Sequence, residues 1–140
     1  MERHATTSIE IQAPAAKVWA ALTDPKEIKK HMFGTEAVSD WNVGSSLTFK
    51  GEWQGKKYED KGKILKIEQE KVLKYTYWSA ASGKPDSPEN YSALTFALET
   101  HKEGTMLSVT QETNSSQDGL DHSMKNWKMV LETMKKLLEA

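Results

Sequence analysis

The chain has 140 residues, the length of one ordinary domain, and nineteen Lys and Arg against twenty Asp and Glu leave a net charge of −1. That balance supplies no electrostatic pull toward nucleic acid, and the absence of cysteine removes disulfide scaffolds, thiolate zinc sites and cysteine nucleophiles. With no apolar leader after the polar Met1-Glu2-Arg3-His4 and no run of about 18 apolar residues, a cytoplasmic location without membrane insertion is expected.

No repeat, linker or low-complexity tract interrupts residues 1–140, which therefore read as a single domain. Thr7, Ile9 and Ile11 alternate with Ser8, Glu10 and Gln12, the pattern of a short amphipathic strand. Pro14 suits a helix start, and Ala15, Val18, Trp19 and Leu22 follow at helical spacing. A second start comes at once: Asp24 caps, Pro25 enters the first turn, and Glu27 stands three residues after the cap. Ile28, Met32 and Phe33 supply that helix's apolar face, and Gly34 stops it. From Ser46 the period changes to two. Leu47, Phe49 and Trp53 share a face, with Gly51 on it where a missing side chain permits curvature or makes room. Residues 58–67 form the next strand, and Ile64, Leu65 and Ile67 break its alternation, which predicts a bulge. Leu73, Tyr75 and Tyr77 face one way in the strand after that. A loop with Gly83, Pro85 and Pro88 leads to a strand carrying Leu94, Phe96 and Leu98, then to one carrying Leu107, Val109 and Gln111. Short turns between consecutive strands predict an antiparallel meander. The chain ends in a long helix with Leu120, Met124, Trp127, Leu131, Met134 and Leu138 at intervals of three and four, capped by Ser116 or Asp118.

Strand, two short helices, antiparallel strands and a long last helix is the order of the α+β helix-grip fold, a curved sheet wrapped around the final helix. Local sequence carries the likeness further. The run Ile9-Glu10-Ile11-Gln12-Ala13-Pro14-Ala15-Ala16-Lys17-Val18-Trp19-Ala20-Ala21-Leu22-Thr23-Asp24-Pro25 resembles the opening of the SRPBCC superfamily, also called START-like or birch-pollen-allergen-like. The pieces Trp41-Asn42-Val43-Gly44, Gly62-Lys63-Ile64-Leu65-Lys66-Ile67, Leu73-Lys74-Tyr75-Thr76-Tyr77-Trp78 and Thr105-Met106-Leu107-Ser108-Val109-Thr110-Gln111, with Trp127, resemble the branch of the C-terminal domain of the heat-shock-protein-90 ATPase activator. The resemblance covers about Thr7 to Leu138. It implies binding of a lipid, sterol or polyketide in a cavity between sheet and helix, without metal or covalent cofactor. Its other implications are a co-chaperone-like interaction module and a cyclase or hydrolase. The co-chaperone's separate N-terminal domain has no counterpart in these residues, so the expectation is of the fold rather than of a full activator. Where the family often has Gly before the helix tryptophan, this chain has Asn126, which would crowd the pocket.

Five Trp, four Tyr and three Phe in a chain that is only 37% hydrophobic either line a cavity or fill a core. By strand parity Trp53, Tyr58, Tyr75, Tyr77 and Phe96 face inward from the sheet, opposite Trp127 and Leu131 of the helix, and Met32 and Phe33 close the mouth. Gln111 shares its face with Leu107 and Val109; its amide either meets a ligand or tyrosine, or reaches water at the strand end. Asp60, on the face of Tyr58, is read as solvated. These positions are the candidate ligand contacts, and none is assigned a catalytic role. His4, His31, His101 and His122 form no metal-ligand pair at helical or strand spacing, and no phosphate loop or nucleophile elbow is present. Lys26, Lys29, Lys30 and His31, with a second stretch at Lys56, Lys57, Lys61, Lys63 and Lys66, form either a solvated face or a surface for an acidic chaperone.

Overall fold

The computed structural model describes residues 3–32, 34–79 and 83–140, without the side chain of Trp53. Strand β1 (Arg3–Ile11) is followed by helices α1 (Ala15–Thr23) and α2 (Pro25–His31). Six strands come next: β2 (Glu36–Ser39), β3 (Ser46–Trp53), β4 (Lys56–Glu68), β5 (Val72–Tyr77), β6 (Ser92–His101) and β7 (Gly104–Thr113). Helix α3 (Gln117–Leu138) closes the chain. The sheet order is β1-β7-β6-β5-β4-β3-β2, and every pairing is antiparallel. This is the α+β helix-grip architecture that the element order implies.

Local chemistry accounts for the joints. Gln54 and Gly55, at φ 50° and 80°, make the β3–β4 turn in the left-handed geometry that matches strand twist. The β4–β5 register shifts between Ile64 and Lys66, the bulge that the broken alternation predicts, and it leaves Leu65 exposed. Two glycines let the sheet bend. A Cβ on Gly51 would lie 2.3 Å from the Tyr58 hydroxyl oxygen, so the bare backbone makes room for that ring. A Cβ on Gly62 would lie 1.6 Å from the Thr76 carbonyl oxygen, an approach that no other residue permits. The side chain of Asp24 accepts from the Lys26 amide at 3.0 Å and starts α2. Of the two candidate caps for α3, Ser116 serves: its Oγ accepts from the Gly119 amide at 3.1 Å.

Helix α3 lies along β1 and is tied to it at both ends. Arg3 Nη1 donates to the Ser115 carbonyl at 3.0 Å, and Lys135 Nζ donates to the Glu10 carbonyl at 2.6 Å. Its apolar stripe buries Leu120, Leu131 and Met134 completely, together with Val130. Val130, Leu131 and Met134 join Ile11, Leu47, Ile64, Leu73, Leu94 and Leu107 of the sheet in the main core. Strand β2, too short to show alternation in sequence, adds the edge beside β3 and buries Ala37.

Candidate functional site

Between the concave sheet face, α2 and the middle of α3 the side chains leave a cavity of about 20 Å³, room for one water molecule. Phe49 from β3, Tyr75 from β5 and Phe96 from β6 form its floor, and Trp127 of α3 stands over them. Phe49 lies 5.9 Å from Tyr75, Tyr75 stacks on Phe96 at 5.9 Å, and Trp127 meets Phe96 edge-on at 5.6 Å, so the rings form one continuous cluster. Val130 and Met134, one and two turns on from Trp127, close the helix side. Ile28, His31 and Met32 close the α2 side.

Trp41 completes the wall from the loop between β2 and β3. Its φ of 58° is a left-handed conformation that costs a side-chain-bearing residue on the order of 1 kcal/mol. Its amide donates to Ser39 Oγ at 3.0 Å, and Ser45 Oγ accepts from the next amide, Asn42, at 3.1 Å. These bonds hold the loop in the shape that turns the ring onto the core. Trp41, Met32 and Trp127 are half-buried, whereas the floor is sealed.

The polar atoms are few and specific. His31 is 4% exposed, and its Nε2 lies 2.6 Å from the Ala21 carbonyl oxygen. A carbonyl can only accept, so the proton sits on Nε2 and Nδ1 presents a lone pair. Nδ1 is buried and has no hydrogen-bond partner among the described residues. Burial lowers the pKa of His31, against the opposing pull of the Ala21 carbonyl and the Glu27 carboxylate. Gln111, 6% exposed, is likewise incompletely paired among the described residues: Nε2 donates to Ser92 Oγ at 3.3 Å, and the buried Oε1 has no partner there.

A second polar group lies on the same sheet face. Tyr77 donates from its hydroxyl to Asp60 Oδ2 at 2.5 Å, and its ring is 6.0 Å from Phe49. Asp60 is 8% exposed, so its reading as solvated is corrected: strand curvature carries it under Tyr77. The Tyr58 hydroxyl meets Thr35 Oγ1 at 2.5 Å, across Gly51. Burial pushes both the Tyr75 and the Tyr77 phenols up, and the Asp60 charge adds to the rise at Tyr77. Both phenols stay protonated at neutral pH, and the Tyr77 hydroxyl serves as a hydrogen-bond donor rather than as a base.

Of the candidate ligand contacts, Met32, Tyr75, Phe96 and Trp127 come together around the cavity. Tyr58, Tyr77 and Gln111 face the same concave side but lie apart from it, and Leu131, 1% exposed, belongs to the core. Phe33 and the Trp53 side chain lie outside the described residues. Asn126 is exposed and crowds nothing. Sequence reasoning set His31 among surface lysines; the structure buries it. The available signal was its spacing, since His31 stands three residues after Ile28 and so shares the apolar face of α2. Phe49 has the parity of Leu47, and Trp41 carries no periodic signal. The remaining basic residues are partly paired: Lys30 with Glu27 at 3.0 Å, Lys66 with Glu68 at 3.7 Å, and Lys61 with Asp86. Among the described residues no three His, Asp or Glu side chains converge as metal ligands, and no helix is long and apolar enough to cross a membrane.

With a curved seven-stranded sheet gripping α3 around this ring cluster, comparison with known proteins is informative. The family model described as "Activator of Hsp90 ATPase homolog 1-like protein" matches residues 12–139. The chain belongs to that family. This agrees with the START-like resemblance of its motifs. Among solved structures, ChR145 from Cytophaga hutchinsonii is 45% identical, with a TM-score of 0.85 over 99% of this chain and 95% of that one. CalU16 from Micromonospora echinospora is 25% identical, with a TM-score of 0.75 over 97% of this chain and 76% of that one. The Aha1 dimer from Colwellia psychrerythraea is 23% identical, with a TM-score of 0.77 over 98% and 96%, a likeness of fold. No curated protein matches the chain by sequence.

Proposed function

We propose that this protein binds a small apolar or aromatic molecule, of lipid, sterol or polyketide type, between the sheet and α3, without transforming it. The reading rests chiefly on one observation: a buried, ring-walled cavity whose rim is made of the half-buried Met32, Trp41 and Trp127. Rings with polar tips around an apolar floor suit such a molecule. The free space of about 20 Å³ takes one water, so entry of a ligand displaces the rim, with Trp127 the side chain that swings. Tyr58, Tyr77, Asp60 and Gln111 then become the polar contacts on the neighbouring sheet face.

A lipid, sterol and aromatic polyketide panel tests this by thermal unfolding and by the fluorescence difference between the native chain and Trp127→Phe. A ligand at a hundred times its Kd adds about 2.7 kcal/mol of stability, a Tm rise of several degrees. Silence of the whole panel in both measurements discards the reading. A second reading, a co-chaperone-like interaction module, is supported by the family match over residues 12–139. It requires that purified chain and the cell's heat-shock-protein-90 associate in sedimentation velocity. Independent sedimentation of the two counts it out.

A further inference from the structure

We infer that His31 Nδ1 is the hydrogen-bond acceptor of this cavity and selects apolar ring molecules that bear a hydroxyl or N–H donor over their ether or donor-free counterparts. The inference rests on the binding role proposed above and adds the chemical class of ligand. Three observations lead to it. His31 lines the cavity from α2, and its ring is anchored at the other nitrogen by the 2.6 Å bond to the Ala21 carbonyl. That bond leaves Nδ1 with a lone pair, buried and unpartnered among the described residues. Folded chains rarely leave such an atom unpaired, because it has lost water and gained nothing in exchange. The space at hand, about 20 Å³, is the size of one water or one ligand hydroxyl.

The rest of the wall determines what carries that hydroxyl. Phe49, Tyr75, Phe96 and Trp127 present ring faces and edges 5.6 to 5.9 Å apart, a surface matched to another flat ring. Once the rim has been displaced as proposed above, a phenol or aryl alcohol lays its ring against this surface and donates to Nδ1. Its methyl ether brings only an acceptor, leaves Nδ1 unpaired and forces a methyl group into the space of a water. A site built to meet a hydroxyl rejects the analogue that lacks it far more strongly than an apolar pocket rejects a lost methylene. Burial keeps the imidazole neutral at physiological pH, so the acceptor is present when the ligand arrives.

The test uses 1-naphthol, 1-methoxynaphthalene and naphthalene as probes of the full chain, with titration followed by Trp127 fluorescence. The native chain is expected to bind 1-naphthol at least about tenfold more tightly than either analogue. His31→Phe should bring the three affinities together, and His31→Asn, whose Oδ1 restores an acceptor near Nδ1, should recover part of the preference. A measurement on the native chain needs no variant. Imidazole 15N spectra should show the Nε2–H tautomer of His31, with Nδ1 unprotonated and moving upfield on addition of 1-naphthol but not of its ether. Equal affinity for the three probes, or an Nδ1 signal that ignores 1-naphthol while it binds, overturns the inference and leaves the binding role standing. If none of the three binds at all, the binding role falls for aromatic ligands and the inference falls with it.

Discussion

His31 shows how much one residue's placement decides. Two residues earlier on α2, at the exposed position of Lys29, it would be a solvated imidazole among lysines; at its actual position it lies between Ala21 and the ring cluster. Burial disfavours its charged form and lowers its pKa below the ordinary 6.5, despite the opposing Ala21 carbonyl and Glu27. The unfolded chain therefore takes up a proton near pH 6.5 that the folded chain refuses until lower pH. Stability from this residue is complete above pH 6.5 and is lost as pH falls from there through the folded-state pKa, at up to about 1.4 kcal/mol per pH unit. Urea unfolding at pH 7.5 and pH 5.5 checks the sign: His31→Asn should lose less stability between the two than the native chain does. An equal loss would show that His31 carries none of the acid sensitivity. Tyr77 and Asp60 make a related point: the buried carboxylate takes the Tyr77 hydroxyl at 2.5 Å beside Gly62, where β5 comes close to β4.

At the scale of elements, most of the architecture was legible because periodicity and capping are local. Alternation located β3 to β7, Asp24 and Ser116 began their helices, and the broken pattern at Ile64 and Leu65 marked the bulge. Two glycines of neighbouring strands do different things. At Gly51 the obstacle to a methyl group is the Tyr58 side chain, which can swing aside; at Gly62 it is the Thr76 carbonyl in the backbone of the next strand. Gly62→Ala should therefore cost at least about 3 kcal/mol, or prevent folding, whereas Gly51→Ala costs about 1 kcal/mol. Chemical denaturation of the two variants compares them directly, and a Gly62→Ala chain of native stability would mean that β4 and β5 do not approach so closely. Helix α3 was visible from its stripe, but Val130 was not, because the buried arc of a helix gripped by a curved sheet is wider than an a/d seam.

Across the whole molecule the candidate site was half legible. Strand parity and helical spacing placed Tyr75, Phe96 and Trp127 on converging faces, and they meet around one cavity. Parity could not say how deep along each strand the cavity lies, so Tyr58, Tyr77 and Gln111 share the concave face without reaching it, and Leu131 of α3 packs into the core instead. Trp41 comes from a loop whose left-handed turn has no periodic signature. By itself the sequence determined the order of elements, their inward faces and the family, because these follow from short-range spacing and from motifs within single elements. Only the tertiary structure decided which inward residues touch, how little space they leave, and that a histidine among lysines is buried with one nitrogen unpaired among the described residues. Those facts depend on the curvature of the sheet and on the approach of α2 to α3, distances set by every contact at once rather than by any one stretch of chain.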